Sequence, residues 1–280
     1  MEWEALVKMT ATGSDNFVST SLGTGVAETE LGTGINTPSQ ARSITSIIPY
    51  YGATGAYTAA QGAVAEIAIR SDSVSLTPKR VIVSAGNGGV GAFIDVVVPI
   101  LEEWKFNTPL TGQSLLHCYG TSQTANTVAF EAGCEVIYST DSPKEPEKFW
   151  MKPNDETATS TTTGIKTVGG TMQITAGSTS CTITDLWALP YVAGTVTVSE
   201  SLYGIFEFQS NDFNDAMPLR MAVQPMGAGL NTVCLHMLKM ARRSCWKPTK
   251  PTTLIQTYFT LDEAQTAAQA FIGGVGYIKQ

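Results

Sequence analysis

Apolar and polar residues alternate in short runs along this chain, and glycine, proline, asparagine and serine interrupt the runs about every eight to twelve residues. Period-two alternation is the mark of half-buried strands. Strands are expected over Ser46–Tyr51, with a turn at Gly52 and Gly55, over Ala63–Arg70, and over Lys79–Ser84. Ala92–Ile100 follows and ends near Pro99, which has no N–H to give to a ladder. Ser114–Tyr119 and Glu131–Tyr138 complete the first half. In the second half the clearest strands are Leu202–Gln209, Pro218–Gln224, Leu254–Phe259 and Phe271–Ile278. Thr260, Leu261, Asp262 and Glu263 have the spacing of a capping box, in which Thr260 caps and Glu263 reaches back. A short helix through Ala270 is expected from it. Many short strands with regular turns indicate a β-sandwich or barrel.

The pattern is written twice. Residues 44–89 and 183–229, about 140 positions apart, pair Ile44 with Ile183, Thr45 with Thr184, Gly55 with Gly194, Thr58 with Thr197 and Ser71 with Ser210. After one inserted residue, Pro78 falls on Pro218, Arg80 on Arg220 and Gly89 on Gly229. Further on, Tyr119, Thr121 and Tyr138 fall on Tyr258, Thr260 and Tyr277. Turn chemistry alone accounts for some shared Gly, Thr and Pro, but not for anchors kept in order. The chain therefore divides into an N-terminal arm over 1–42, a first module over 43–140, a linker over 141–170 and a second module over 171–280. The arm is dense in Gly, Thr and Ser and is expected to be flexible alone, or ordered along a neighbouring subunit. Three prolines, a mixed charge run and a Thr/Ser tract mark the linker. Phe149 and Trp150 break that composition and are expected to pin it to a module.

Composition narrows the function. Only 15% of the residues are charged, against roughly a quarter in ordinary soluble domains. A surface so poor in charge suits a protein covered in part by copies of itself. The net charge of −7 speaks against a nucleic-acid-binding field, so no direct sequence-specific nucleic-acid binding is expected. Five scattered cysteines, Cys118, Cys134, Cys181, Cys234 and Cys245, show no CxxC pair. They read as reduced, mostly buried thiols of a cytoplasmic product. The opening residues show neither a secretory signal nor a membrane span.

Candidate chemistry is sparse. His117 and His236 do not correspond in the duplicated frame, and one histidine per module does not make a zinc site or a cupin-type metal centre. Gly86-Asn87-Gly88-Gly89-Val90-Gly91 lacks the Lys-Ser/Thr ending of a phosphate loop and connects two strand-like runs. There is no G-x-S-x-G elbow. Asp212 and Asp215 are a carboxylate pair in a turn-rich stretch, and turn formation accounts for them better than glycosidase chemistry does. Neither catalytic residues nor a cofactor or metal is therefore expected, and the chain reads as a non-enzyme. The one concentrated basic feature is Lys239, Arg242, Arg243, Lys247 and Lys250, a candidate for subunit or phosphate contact.

The duplicated units Ile44–Tyr138 and Ile183–Tyr277 resemble the architecture of double-jelly-roll major capsid proteins of tailless icosahedral viruses, turreted ones included. The resemblance covers about two thirds of the chain and is architectural. It implies an all-β fold of two tandem jelly-roll β-barrels with short helices in loops. It also implies a homotrimer acting as a pseudo-hexameric tile of a virion capsid made in the host cytoplasm. The partners it implies are further copies, other capsid proteins such as vertex proteins, and an internal membrane where the shell encloses one. The rival expectation is a duplicated β-sandwich that binds carbohydrate or adheres to surfaces, with Tyr50, Tyr51, Trp187 and Tyr191 at a rim as stacking platforms.

Overall fold

The computed structural model describes residues 2–11, 29–30, 35–53, 63–71, 79–85, 103–110, 115–122, 130–151, 164–175, 179–192, 204–213, 217–223, 236–239, 247–250, 252–261 and 269–280. Every regular element among them is a β-strand. The first half holds β1 (Glu2–Ala11), β2 (Thr29–Glu30), β3 (Ile35–Asn36), β4 (Ser43–Ala53), β5 (Ala63–Arg70), β6 (Lys79–Ala85), β7 (Trp104–Pro109), β8 (Leu115–Ser122) and β9 (Phe130–Ser139). The second holds β10 (Lys148–Met151), β11 (Lys166–Thr175), β12 (Cys181–Val192), β13 (Gly204–Gln209), β14 (Leu219–Val223), β15 (His236–Lys239), β16 (Lys247–Thr249), β17 (Thr252–Leu261) and β18 (Gln269–Lys279).

Each half deals its strands to two antiparallel sheets. The first half forms β1-β9-β4-β7 and β2-β8-β5-β6, with β3 also on β8. The second forms β10-β18-β12-β15, with β16 also on β12, and β11-β17-β13-β14. Counting β2 with β3 as one position, and β15 with β16 as another, both halves wind 1-8-3-6 in one sheet and 2-7-4-5 in the other.

The registers repeat as well. Ile44 faces Tyr138 and Ile183 faces Tyr277, and each pairing is followed by an irregularity at the next residue, Thr45 and Thr184. A bulge carried at the same aligned position in both halves fits two strands built to one plan. Arg80 and Tyr119 flank Ala68 on neighbouring strands, as Arg220 and Tyr258 flank Glu207.

Several expectations are corrected. The two tandem jelly-roll β-barrels with short helices in loops are not what is found: among the described residues no sheet closes into a barrel, and each is an open path with two edge strands. Nor is there a helix among the described residues. Thr260, expected to cap one, continues β17 and is paired on both sides, to Lys166 and Ile205. Two ladders already engage the backbone there, and a β-branched residue suits that setting. Residues 262–268, which carry the rest of that expectation, lie outside the described residues, as does the strand expected over Ala92–Ile100. The arm does not begin as a loose segment, because all ten residues of β1 pair with β9. Within the expected linker, β10 is an edge strand paired to β18.

The second half packs around Phe206, Phe208 and Phe259, whose rings lie 5.2 and 6.1 Å from that of Phe206. Met172, Ile174, Ile183, Leu186, Ile255 and Val275 join them from both sheets, all buried. Burying a side chain of this size contributes about 1.5 to 3 kcal/mol. Phe149 closes the edge by stacking on Tyr277 at 5.5 Å.

Candidate functional site

The two halves are joined by tryptophan. In β12, Leu186 and Ala188 point into the second core, so Asp185 and Trp187 point out of it on the opposite face. On β10 the residue beside Phe149, Trp150, lies on that same outer face. The middle strand β18 supplies Gly274 opposite Trp187 and Gly276 opposite both Asp185 and Trp150. A Cβ at Gly274 would lie 2.6 Å from the Trp187 ring, and one at Gly276 would lie 2.8 Å from the Trp150 ring. The glycines thus make the floor on which the two indoles lie. Trp104 from the first half meets both edge-on, at 4.8 Å from Trp150 and 5.8 Å from Trp187. The Trp150 indole N–H donates to the Lys105 carbonyl at 2.8 Å, and Thr108 Oγ1 donates to Glu147 Oε1 at 3.1 Å, which fixes β10 along β7. Beside the indoles, Lys148 donates to Asp185 Oδ2 at 2.5 Å and Thr184 Oγ1 donates to the same oxygen at 2.6 Å. The buried carboxylate is thereby paired.

The second place of interest is the outer face of β11-β17-β13-β14. Its core-facing residues are Met172, Ile174, Ile255, Phe259, Phe206, Phe208 and Met221, so the alternate positions face outward. One cross-strand row is Lys166, Thr260, Ile205 and Ala222, and the next is Val168, Tyr258, Glu207 and Arg220. Val168 and Leu254 are each 57% exposed and Ile205 is 48% exposed, so large apolar side chains meet solvent here. Glu207 lies among them yet is buried, because three donors fold over it: Lys166 and the Gln209 amide to Oε1, and Arg220 Nε to Oε2 at 2.6 Å. The Lys166 ammonium also sits 4.1 Å from the Tyr258 ring centroid. Where β11 is irregular, Gln256 donates to the Gly169 and Gly170 carbonyls at 2.6 and 3.2 Å, and Thr257 Oγ1 donates to Gly170 at 2.6 Å. The polar groups of this face are held in place by one another.

Burial alone would raise the Glu207 carboxyl, but hydrogen bonds and attraction from Lys166 and Arg220 together outweigh it and hold the group below the usual glutamate range. A carboxyl depressed in the folded state stabilises above its unfolded value, about 4.3, and that stability is lost as pH falls through the folded value. Glu207→Gln is therefore expected to lower the urea midpoint at pH 6, with the gap from the parent protein closing as pH falls below about 4. A gap that stays constant to pH 2 would show that the charge of Glu207 does not stabilise the fold.

The residues singled out in the sequence fall as follows. Lys239 and Lys247 lie on β15 and β16, both paired to β12. Arg242 and Arg243 lie outside the described residues. Lys250 is exposed and donates to Asp212 at 3.2 Å. Asp212 also donates its backbone N–H to Ser210 Oγ at 3.1 Å, so it shapes the turn after β13, while Asp215 lies outside the described residues. Trp187, expected as an exposed stacking ring, is instead buried at the junction, because it covers Gly274 and meets Trp104. The side chains of Tyr50, Tyr51 and Tyr191 lie outside the described ones. Cys134 and Cys181 are buried free thiols. Among the described residues, no three His, Cys, Asp or Glu side chains are grouped so as to hold a metal ion. No helix among them is long and apolar enough to cross a membrane.

Sequence reasoning missed Glu207 and its partners. The signal was present: in the duplicated frame Arg80 is matched by Arg220 and Tyr119 by Tyr258, while Ala68 is replaced by Glu207.

No protein-family model and no curated protein matches the chain. Among solved structures, the chain is similar to a peptide-N(4)-(N-acetyl-β-D-glucosaminyl) asparagine amidase at 11% identity and a TM-score of 0.43, over 99% of this chain and 96% of that one. It is similar to infectious bursal disease virus, Gx strain, at 12% identity and a TM-score of 0.28, over 99% of this chain and 71% of that one. It is also similar to the tandem CBM22 domains of a Paenibacillus barcinonensis protein, Xyn10C, at 11% identity and a TM-score of 0.21, over 99% and 93%. Likenesses at these scores assign neither activity nor ligand to this chain. The expectation of a non-enzyme is corrected: one of these similar structures is an enzyme, the amidase, over 99% of this chain and 96% of that one. The lack of a catalytic motif in the sequence does not by itself exclude catalysis. The resemblance to icosahedral capsid proteins stands only as this weak structural similarity, without a specific double-jelly-roll match.

Proposed function

We propose that this chain is a duplicated β-sandwich protein that binds carbohydrate through the outer face of β11-β17-β13-β14. The observation that carries the reading is the mixture on that face. Val168 and Ile205 stand exposed on and beside the row that holds the Glu207 carboxylate and the Arg220 guanidinium, with the Gln209 amide bonded to that carboxylate, and Leu254 stands exposed farther along the same face. Sugars present C–H faces and hydroxyl edges together. A flat apolar surface set with pre-oriented polar groups meets both, and little side-chain entropy remains to be lost on binding. The test is a glycan array probed with the purified chain and with an Ile205→Asp, Leu254→Asp double variant. Retention of at least one glycan class by the parent and its loss in the variant is the expected outcome. Both positions are about half exposed, so folding should change little, which a urea titration of the variant checks. Retention of no glycan overturns the reading.

A second reading, a self-assembling capsid subunit that forms homotrimers, is favoured by the low charge content and the same exposed apolar side chains. Solution mass separates the two: a shell subunit runs as a trimer or larger at micromolar concentration, and a glycan binder has no such requirement.

A further inference from the structure

We infer that Arg220 makes the outer face of β11-β17-β13-β14 selective for anionic glycans, by gripping a carboxylate or sulfate with the free end of its guanidinium. This rests on the carbohydrate-binding reading and names the ligand class for it. Arg220 lies on β14, which pairs with β13, and its side chain is 64% exposed. Its one bond among the described residues is from Nε to Glu207 Oε2 at 2.6 Å. That bond uses one of the five guanidinium N–H groups, and no bond from Nη1 or Nη2 to a described residue accompanies it. The Nη pair is the part of the group that meets a carboxylate or sulfate with two parallel bonds.

Three features make this more than a solvent-exposed arginine. Glu207 is itself buried and anchored on its other oxygen by Lys166 and Gln209, so it orients the guanidinium from a fixed point. The charges described on these two rows are Lys166, Arg220 and Glu207, so the local balance is positive in a chain whose net charge is −7. Ile205 is the exposed neighbour one row along, opposite Ala222, and it offers an apolar surface beside the fork for the sugar ring that carries the anion. Other described arginine chemistry differs. Arg42 spends Nη1 on the carbonyls of Ser39 and Ala41. The first half does not repeat the arrangement, because Ala68 stands opposite Arg80 where Glu207 stands opposite Arg220.

The test is calorimetric titration of the whole chain with three probes: an oligogalacturonate, a sulfated heparin-type oligosaccharide and a neutral oligoglucoside. The variants are Arg220→Gln and Arg220→Lys. The parent is expected to bind one of the anionic probes about ten-fold or more tighter than the neutral one, as a charged bidentate contact allows. Preference for the uronate identifies carboxylate as the ligand group, and preference for the heparin-type probe identifies sulfate. Arg220→Gln is expected to erase the preference, and Arg220→Lys to keep only a small part of it, since a point charge lacks the fork. Neither variant should alter the fold, which near-ultraviolet circular dichroism monitors. Equal binding of neutral and anionic probes by the parent overturns the inference while the carbohydrate reading survives, as does an anionic preference that Arg220→Gln leaves intact. Failure to bind any of the three, together with an empty glycan array, ends both.

Discussion

Trp104→Ala is expected to destabilise the protein by about 3 to 5 kcal/mol, the range for removing a large buried aromatic. Trp104 is 1% exposed and meets Trp150 and Trp187 edge-on from the other half of the chain. Removing it empties the place where the halves are in aromatic contact, and its two described ring neighbours are held where they are, Trp150 tied to the Lys105 carbonyl and Trp187 lying on Gly274. Among the described residues the Trp104 indole N–H has no hydrogen-bond partner. Trp104→Phe therefore loses packing without losing a bond and should cost markedly less. The measurement is urea unfolding followed by tryptophan emission and by far-ultraviolet dichroism. The two probes should coincide in the parent and separate in Trp104→Ala, because loss of the shared cluster lets one half unfold ahead of the other. A loss below about 1 kcal/mol, with the probes still coincident, would show that the tryptophan contact does not couple the halves.

Gly274→Val is expected to be of similar size, about 3 kcal/mol or more, through overpacking instead of a cavity. A Cβ at Gly274 runs into the Met151 backbone carbonyl and lies 2.6 Å from two atoms of the Trp187 ring. The carbonyl belongs to β10, which is hydrogen-bonded to β18 along its length, so it can retreat only if that edge strand lifts away. Lifting β10 also disturbs the Lys148–Asp185 pair and pulls Trp150 off Trp104. Thermal unfolding of Gly274→Ala and Gly274→Val should show a graded loss, alanine first and valine more. An alanine variant as stable as the parent would mean that β10 yields more readily than its pairing implies.

Both effects depend on contacts between segments far apart in sequence, and this sets what could be read beforehand. The alternation in Ala63–Arg70 and Lys79–Ser84 gave strands whose observed limits lie within a residue of those expected. The anchors Ile44/Ile183 and Tyr138/Tyr277 turned out to be register partners in equivalent strands. Such features are local, because a strand's face pattern and a turn's glycine are fixed by neighbours along the chain. β1 is legible in the sequence, where Trp3, Ala5, Val7 and Met9 recur with period two ahead of the Gly, Thr and Ser that give the rest of the arm its loose composition. The cap expected at Thr260 fails for the opposite reason. Its capping pattern is genuine in sequence, but cross-strand pairing on both sides holds that threonine in a strand.

From the sequence alone came the all-β character, the doubling of the pattern and the scarcity of charge, because each follows from residue type and short-range spacing. Only the tertiary structure decided that Trp187 is a buried joint and not an exposed platform, and that Glu207 is drawn under Lys166, Gln209 and Arg220. Those outcomes depend on which strands become neighbours. Tryptophan is apolar enough to bury and amphipathic enough to expose, and a glutamate is solvated or paired according to what the adjacent strand places beside it.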